Sequence, residues 1–242
     1  IPQLPRLAQG SVRKQFQLIK PDVTDAEIEV LLQRVNLNLA DLPNGLDSEL
    51  EAGSELLSTA SGGQIRKVAI ARALVKIPKL LIADEPTTAL DVTVQAQIMT
   101  LLKDLQKEFH MGILLITHDL GIVAQVSDRV SVMYAGDIVE TGSADDIFYK
   151  PLAPYTVGLL HSIPKITYGN KEKLSSIEGQ PPSLINLPSG CPFSPRCVYK
   201  KHAPAGLCDT QMPALLGSQS EHLSRCHISE ESRANLFNGV NR

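Results

Sequence analysis

The sequence predicts an α/β layered core followed by a small, irregular C-terminal domain. Two observations predict the core. One is a pair of short, wholly apolar runs, Leu80–Ala83 and Ile113–Ile116; the other is the helical stripe Val94, Ile98, Leu101, Leu102 and Leu105 between them. A third predicts the appendage: beyond Pro151, Pro, Gly, Ser and Cys become frequent and periodicity fades. The 242 residues, 43% hydrophobic and 20% charged, suffice for a buried core. Lys plus Arg number 23 and Asp plus Glu 26, so the net charge of −3 argues against a broad nucleic-acid-binding surface. Runs such as Gly112–Thr117 are too short to span a bilayer, and Ile1–Gln9 lacks the pattern of a secretory signal. The chain begins at Ile, as a fragment or processed product would. Its four cysteines, all beyond residue 190, point away from a disulfide scaffold.

Ile1 to Lys20 is basic and shows little periodicity. Thr24 and Glu27 have the spacing of a capping box, and Ile28, Leu31, Leu32 and Val35 then recur on one face, predicting a helix. Asn36 to Thr59 reads as loop. Gly62 and Gly63 open a helical run, Val68 to Leu74, which Pro78 ends. Leu80–Ala83 reads as a strand buried on both faces, as in a parallel sheet. Val92 to Phe109 is helical, Ile113–Ile116 is a second buried strand, and Leu120 to Val126 is a short helix. Arg129–Tyr134 and Ile138–Thr141 are two strands joined by the turn Ala135-Gly136-Asp137, and Ser143 caps a further helix. The expected divisions are 1–78, 79–150 and 151–242.

Three local patterns carry chemistry. Ser61-Gly62-Gly63-Gln64 precedes a helix, where free backbone N–H groups and the helix dipole meet an anion; a plain glycine turn has the same look. The Leu80 strand delivers Asp84 and Glu85 to its C-terminal end, the ligand-binding edge of open α/β sheets. There Asp84 can hold Mg²⁺ and Glu85 can polarise an attacking water, or both can be a solvated strand end. His118 follows the second strand, so it reaches the same edge if the two strands are parallel neighbours. Asp91 fits the N-cap of the Val92 helix.

Taken in order, these patterns resemble the ATPase subunits of ABC transporters. Ala60–Gln64 is similar to the signature motif, Leu80–Glu85 to Walker B, Thr88–Asp91 to the D-loop and His118 to the switch histidine, over about Leu57 to Gly142. The resemblance implies a partial P-loop (RecA-like) ABC core with a helical signature subdomain. It implies ATP sandwiched between paired domains, with Ser61, Gly62, Gly63 and Gln64 acting across the dimer. It further implies Asp84 on Mg²⁺, Glu85 as catalytic base, His118 on the γ-phosphate and Asp91 coupling the two sites. Two departures stand out. Position 60 is Ala where the family usually has Leu, and no Gly-x-x-x-x-Gly-Lys-Ser/Thr loop occurs in the chain. No convincing Q-loop is found either: Gln3, Gln9, Gln15 and Gln17 lack a strand before them. An upstream ATP-cradling segment is expected; the alternative is a non-catalytic partner that donates its signature and senses redox or metal state.

The tail narrows the resemblance. Pro151–Thr156 with Gly158-Leu159-Leu160, Gly179–Pro182 and Leu187–Cys197 resemble the C-terminal extension of the dipeptide, oligopeptide and nickel importer subfamily, with Ala153 where that subfamily usually has His. The cysteines are spaced Cys191-x5-Cys197-x10-Cys208-x17-Cys226. Clustered thiolates suggest a metal or Fe–S site; zinc is the rival, without its usual short Cys-x-x-Cys knuckle. The resemblance implies a [4Fe–4S] cluster, against four reduced structural cysteines. His202, His222 and His227 lie nearby as candidate ligands but are read as solvated, and Arg196 with Lys200 and Lys201 as a solvated basic face. The implied setting is the cytoplasmic face of a bacterial inner membrane. The implied partners are a second ATPase subunit, in a heterodimer, permease subunits and a solute-binding protein.

Overall fold

The computed structural model describes residues 7–50, 61–163, 176–219 and 221–237. By compactness the chain divides into Ile1–Asp119 and Leu120–Arg242.

In the first unit, β1 (Gly10–Ser11) pairs antiparallel with β2 (Glu49–Leu50), in stretches where periodicity suggests no element. α1 (Val12–Gln17) starts at Ser11, whose hydroxyl accepts the Lys14 N–H. α2 (Asp25–Arg34) opens on the predicted capping box: the Thr24 hydroxyl accepts the Glu27 N–H, and the Glu27 carboxylate accepts the Thr24 N–H at 2.7 Å. α1, α2 and α3 (Gly62–Leu74) pack together and bury Phe16, Ile28, Leu32, Ile70 and Leu74. β3 (Leu80–Asp84) and β4 (Gly112–Ile116) run parallel, from Leu80 opposite Gly112 to Asp84 opposite Ile116. α4 (Val92–Phe109) is the crossover between them, and His110, at φ 50°, closes it in the left-handed conformation.

The expectation that these strands are buried on both faces does not hold. Leu81 and Ala83 are buried, whereas Leu80, Ile82, Leu114 and Ile116 are 46–56% exposed. The register puts these four on one face, and that apolar face lies open among the described residues. Sequence periodicity reports that both faces are apolar, not that both are covered.

In the second unit, α5 (Leu120–Val126) precedes the hairpin of β5 (Arg129–Tyr134) and β6 (Asp137–Ser143). Its two-residue turn, Ala135 and Gly136, takes positive φ at both positions, as a type I′ turn requires. α6 (Ala144–Tyr149) begins at Ser143 with a second capping box, and α7 (Pro154–His161) follows. The extension then contributes α8 (Leu207–Thr210), β7 (Leu215–Gln219), β8 (His222–Arg225) and α9 (Glu230–Phe237). It is therefore not an irregular appendage: β8 and β7 complete one antiparallel sheet, in the order β5-β6-β8-β7. Tyr134, Tyr155 and Phe193 pack against one another at centroid distances of 4.6–5.4 Å over Val132, Val139 and Ile147.

A buried polar hub pins the extension to β6. Glu140, fully buried, accepts the N–H of Leu152 at 2.6 Å and of Ala153 at 2.9 Å, just before α7. His222 Nε2 lies 2.8 Å from the same carboxylate, so His222 is a buried partner rather than a solvated side chain. Arg233 of α9 donates to the Leu152 carbonyl at 2.8 Å and to the Ser224 hydroxyl.

Candidate functional site

The parallel pair β3–β4 brings Asp84, Glu85 and His118 to one sheet edge. Glu85 extends the ladder by donating its N–H to the Ile116 carbonyl at 2.8 Å, then leaves the strand at φ +48°. The left-handed residue turns the chain and aims the carboxylate along the edge. Its Oε1 lies 2.7 Å from His118 Nδ1, and its Oε2 accepts the Thr88 hydroxyl at 2.8 Å. Burial pushes the Glu85 carboxyl pKa up, but the hydrogen bonds from His118 and Thr88 outweigh it and hold the group below its ordinary 4.5. The hydrogen bond to Glu85 and its negative charge raise His118 above its ordinary 6.5.

This pair carries its own pH signature. The raised histidine contributes fully below 6.5 and loses its contribution as pH rises through its folded value; the depressed carboxylate contributes fully above 4.5 and loses it as pH falls through its folded value. The contact is therefore strongest between these ordinary values. In an NMR titration His118 should titrate above 6.5. In Glu85→Gln it should return towards that value, and an unchanged midpoint would show that the contact is not made in solution.

Ser61 caps α3. Its hydroxyl accepts the Gln64 N–H at 3.3 Å, the Gln64 side-chain carbonyl accepts the Ser61 N–H at 2.7 Å, and the Gln64 amide donates to the Asp41 carbonyl at 3.0 Å. Ala60, the first residue of the signature-like run, lies outside the described residues. Gly63 allows close packing, since a Cβ there would sit 3.2 Å from Val94 Cγ1, whereas one at Gly62 would make an ordinary contact with Leu90 Cδ2 at 3.7 Å. Asp91 caps α4, accepting the Val94 N–H at 2.9 Å.

In the second unit Cys191, Cys197, Cys208 and Cys226 line one cavity with Phe193, Ser194 and His227. All four thiols are free. Burial pushes their pKa values up, Cys197 to about 12, against opposing backbone N–H bonds at Cys191, Cys197 and Cys226. Among the described residues no three His, Cys, Asp or Glu side chains are gathered closely enough to hold a metal ion. Arg196 is not part of a solvated basic face: it donates to the carbonyls of Ile177 and Glu178 and to the Tyr134 hydroxyl. Lys200 pairs with Asp209 at 2.6 Å. His227 Nε2 lies 2.8 Å from the Gln211 carbonyl.

The family described as ABC transporter matches residues 1–88, and the one described as the oligopeptide/dipeptide transporter C-terminal region matches residues 139–203. The chain is 60% identical over 139 residues to the oligopeptide transport ATP-binding protein OppD of Haemophilus influenzae, covering 57% of this chain and 43% of that relative. It is 53% identical over 174 residues to the oligopeptide transport ATP-binding protein AppD of Bacillus subtilis, covering 72% and 52%. It is 47% identical over 171 residues to the dipeptide transport ATP-binding protein DppD of the same organism, covering 71% and 50%. This chain belongs to the oligopeptide/dipeptide family of ABC transporter ATP-binding proteins. It spans about half the length of these relatives.

Within this family chain, one neighbour of the site escapes sequence reasoning. Arg66, two residues beyond Gln64 on α3, is only 5% exposed and reaches the turn between Glu85 and Asp91. Its sequence context gives no distinguishing signal: Arg66 and Lys67 both stand between Ile65 and Val68, and Arg72 lies on the same helix.

Proposed function

We propose that this chain is part of an ATP-hydrolysing subunit that drives import of di- and oligopeptides through an ABC transporter. The observation that carries the reading is the common edge of β3 and β4, where Asp84, Glu85 and His118 stand together in a chain of this family. In this reading Glu85 is the general base: its carboxylate, kept ionised by Thr88 and His118, takes a proton from the attacking water. The oxygen donors at this strand end suit Mg²⁺, which Asp84 would hold and which would offset phosphate charge. His118 would exchange Glu85 for the γ-phosphate. Ser61–Gln64 would close over ATP held by a second subunit, with Asp91 linking the two sites. The open face of Leu80, Ile82, Leu114 and Ile116 would be covered by the ATP-cradling part of the subunit. The partners would be a second, different ATPase subunit, permease subunits and a solute-binding protein, at the cytoplasmic face of the membrane. Cells whose subunit carries Glu85→Gln should fail to grow on a peptide as sole source of a required amino acid while growing on the free amino acid. Normal growth on the peptide would count against the reading.

We further propose that Cys191, Cys197, Cys208 and Cys226 hold a [4Fe–4S] cluster, with zinc as the rival. Their shared cavity and the backbone N–H groups directed at three of the sulfurs support it. Ligation would draw the thiols inward and expel their protons, so affinity should rise with pH up to the raised thiol values. Anaerobic reconstitution at two pH values should give a reducible visible absorption that Cys197→Ser abolishes. A colourless protein binding one zinc would select the rival.

A further inference from the structure

Arg66 is a buried cation whose donors meet main chain. Nη1 donates to the Glu85 carbonyl at 3.3 Å and Nη2 to the Thr88 carbonyl. Gln95 of α4 adds a tie to the same turn, its amide donating to the Thr87 carbonyl at 3.2 Å. Burying a guanidinium is costly unless it is hydrogen-bonded, so these carbonyls hold Arg66 and Arg66 holds them. The turn needs holding. Glu85 and Ala89 both take positive φ, +48° and +61°, a conformation that side chains with a Cβ adopt only under outside constraint. Ser61 caps the same helix, and Gly63 lets its first turn lie close against Val94. One rigid element thus carries the signature residues at its tip and, a turn later, a fork that grips the backbone bearing Glu85.

We propose that Arg66 is a positioning residue that locks the signature helix to the Glu85–Asp91 turn, so that ATP contact at Ser61–Gln64 and the setting of Glu85 move together. The proposal rests on the reading of Glu85 as the base. Arg66 does not touch substrate; it fixes where the Glu85 carboxylate stands. A guanidinium spans two carbonyls at once, whereas a lysine ammonium reaches one as a point charge.

The test uses the full-length subunit assembled with its transporter partners. Arg66→Gln is expected to lower kcat for ATP by about 10- to 100-fold, the scale of a small misplacement of a catalytic group, with KM for ATP little changed. Arg66→Lys should recover part of the loss. Hydrogen exchange should accelerate across Thr87–Asp91 while α4 keeps its protection. Unchanged kcat, or a fall in kcat with unchanged exchange across Thr87–Asp91, overturns the proposal. Exchange that rises evenly along the chain also overturns it, because it marks a merely structural role. If Arg66→Gln does not fold, Gln95→Ala removes the second tie without exposing a buried charge. It should lower kcat in the same pattern by a few-fold, and wild-type kcat there overturns the proposal. Glu85→Gln run in parallel separates the two ideas: full turnover in that variant defeats the reading of the site itself, whereas its loss with normal Arg66→Gln kinetics defeats only the lock.

Discussion

Glu85→Gln in the full-length subunit is expected to lower ATP turnover by about 10²- to 10⁴-fold while ATP binding persists. The substitution keeps the size of the side chain and an oxygen able to accept the Thr88 hydroxyl, whose bond to Glu85 measures 2.8 Å. It removes the carboxylate proposed as the base, whose charged form the bonds from His118 and Thr88 favour. Burial alone would push that carboxyl towards its neutral form; His118 and Thr88 reverse the balance. Steady-state phosphate release together with an equilibrium nucleotide-binding measurement checks the split. Turnover within a few-fold of wild type would remove Glu85 from the role of base, and loss of ATP binding would make it a structural residue.

Glu140→Leu is expected to destabilise the second unit by ~3–5 kcal/mol, the usual cost of removing one partner from a buried charged network. The carboxylate is fully buried and serves two backbone N–H groups and His222 at once. Leucine fills the space but leaves the Leu152 and Ala153 amides without their acceptor, and His222 without its anion. Glu140→Gln, which retains one carbonyl oxygen, should cost less, about 1–3 kcal/mol. Hydrogen exchange of β6 and α7 amides reads the opening free energy of this unit separately from the first. Protection in Glu140→Leu equal to wild type would show that the hub does not hold the extension to the hairpin.

What was legible in the sequence is what is local. The Thr24–Glu27 and Ser143–Asp146 caps, the α4 stripe ending at Phe109 and the Ala135-Gly136 turn each lie within a few residues of chain, and each appears where the pattern puts it. The meeting of Glu85 with His118, 33 residues apart, was legible only through the inference that two apolar strands run parallel. Long-range polar pairing was not legible. Glu140 and His222 are 82 residues apart, and each alone looks like a solvated side chain. β7 and β8 are short, with no sustained alternation; β8 is a strand because β6 offers it an edge, and β7 because β8 does. Arg66 hides for a related reason: helical patterning treats a charge as a solvent-facing residue, and only backbone carbonyls from another segment make its burial tolerable.

The most direct measurement is uptake of a labelled oligopeptide into proteoliposomes that contain the full-length subunit with its permease and binding protein, with ATP supplied on the side of the subunit. If the subunit powers peptide import with Glu85 as its base, accumulation should depend on ATP and stop in Glu85→Gln although the complex still assembles and binds ATP. Accumulation that continues in Glu85→Gln, or vigorous ATP hydrolysis with no peptide movement under any condition, would contradict that role.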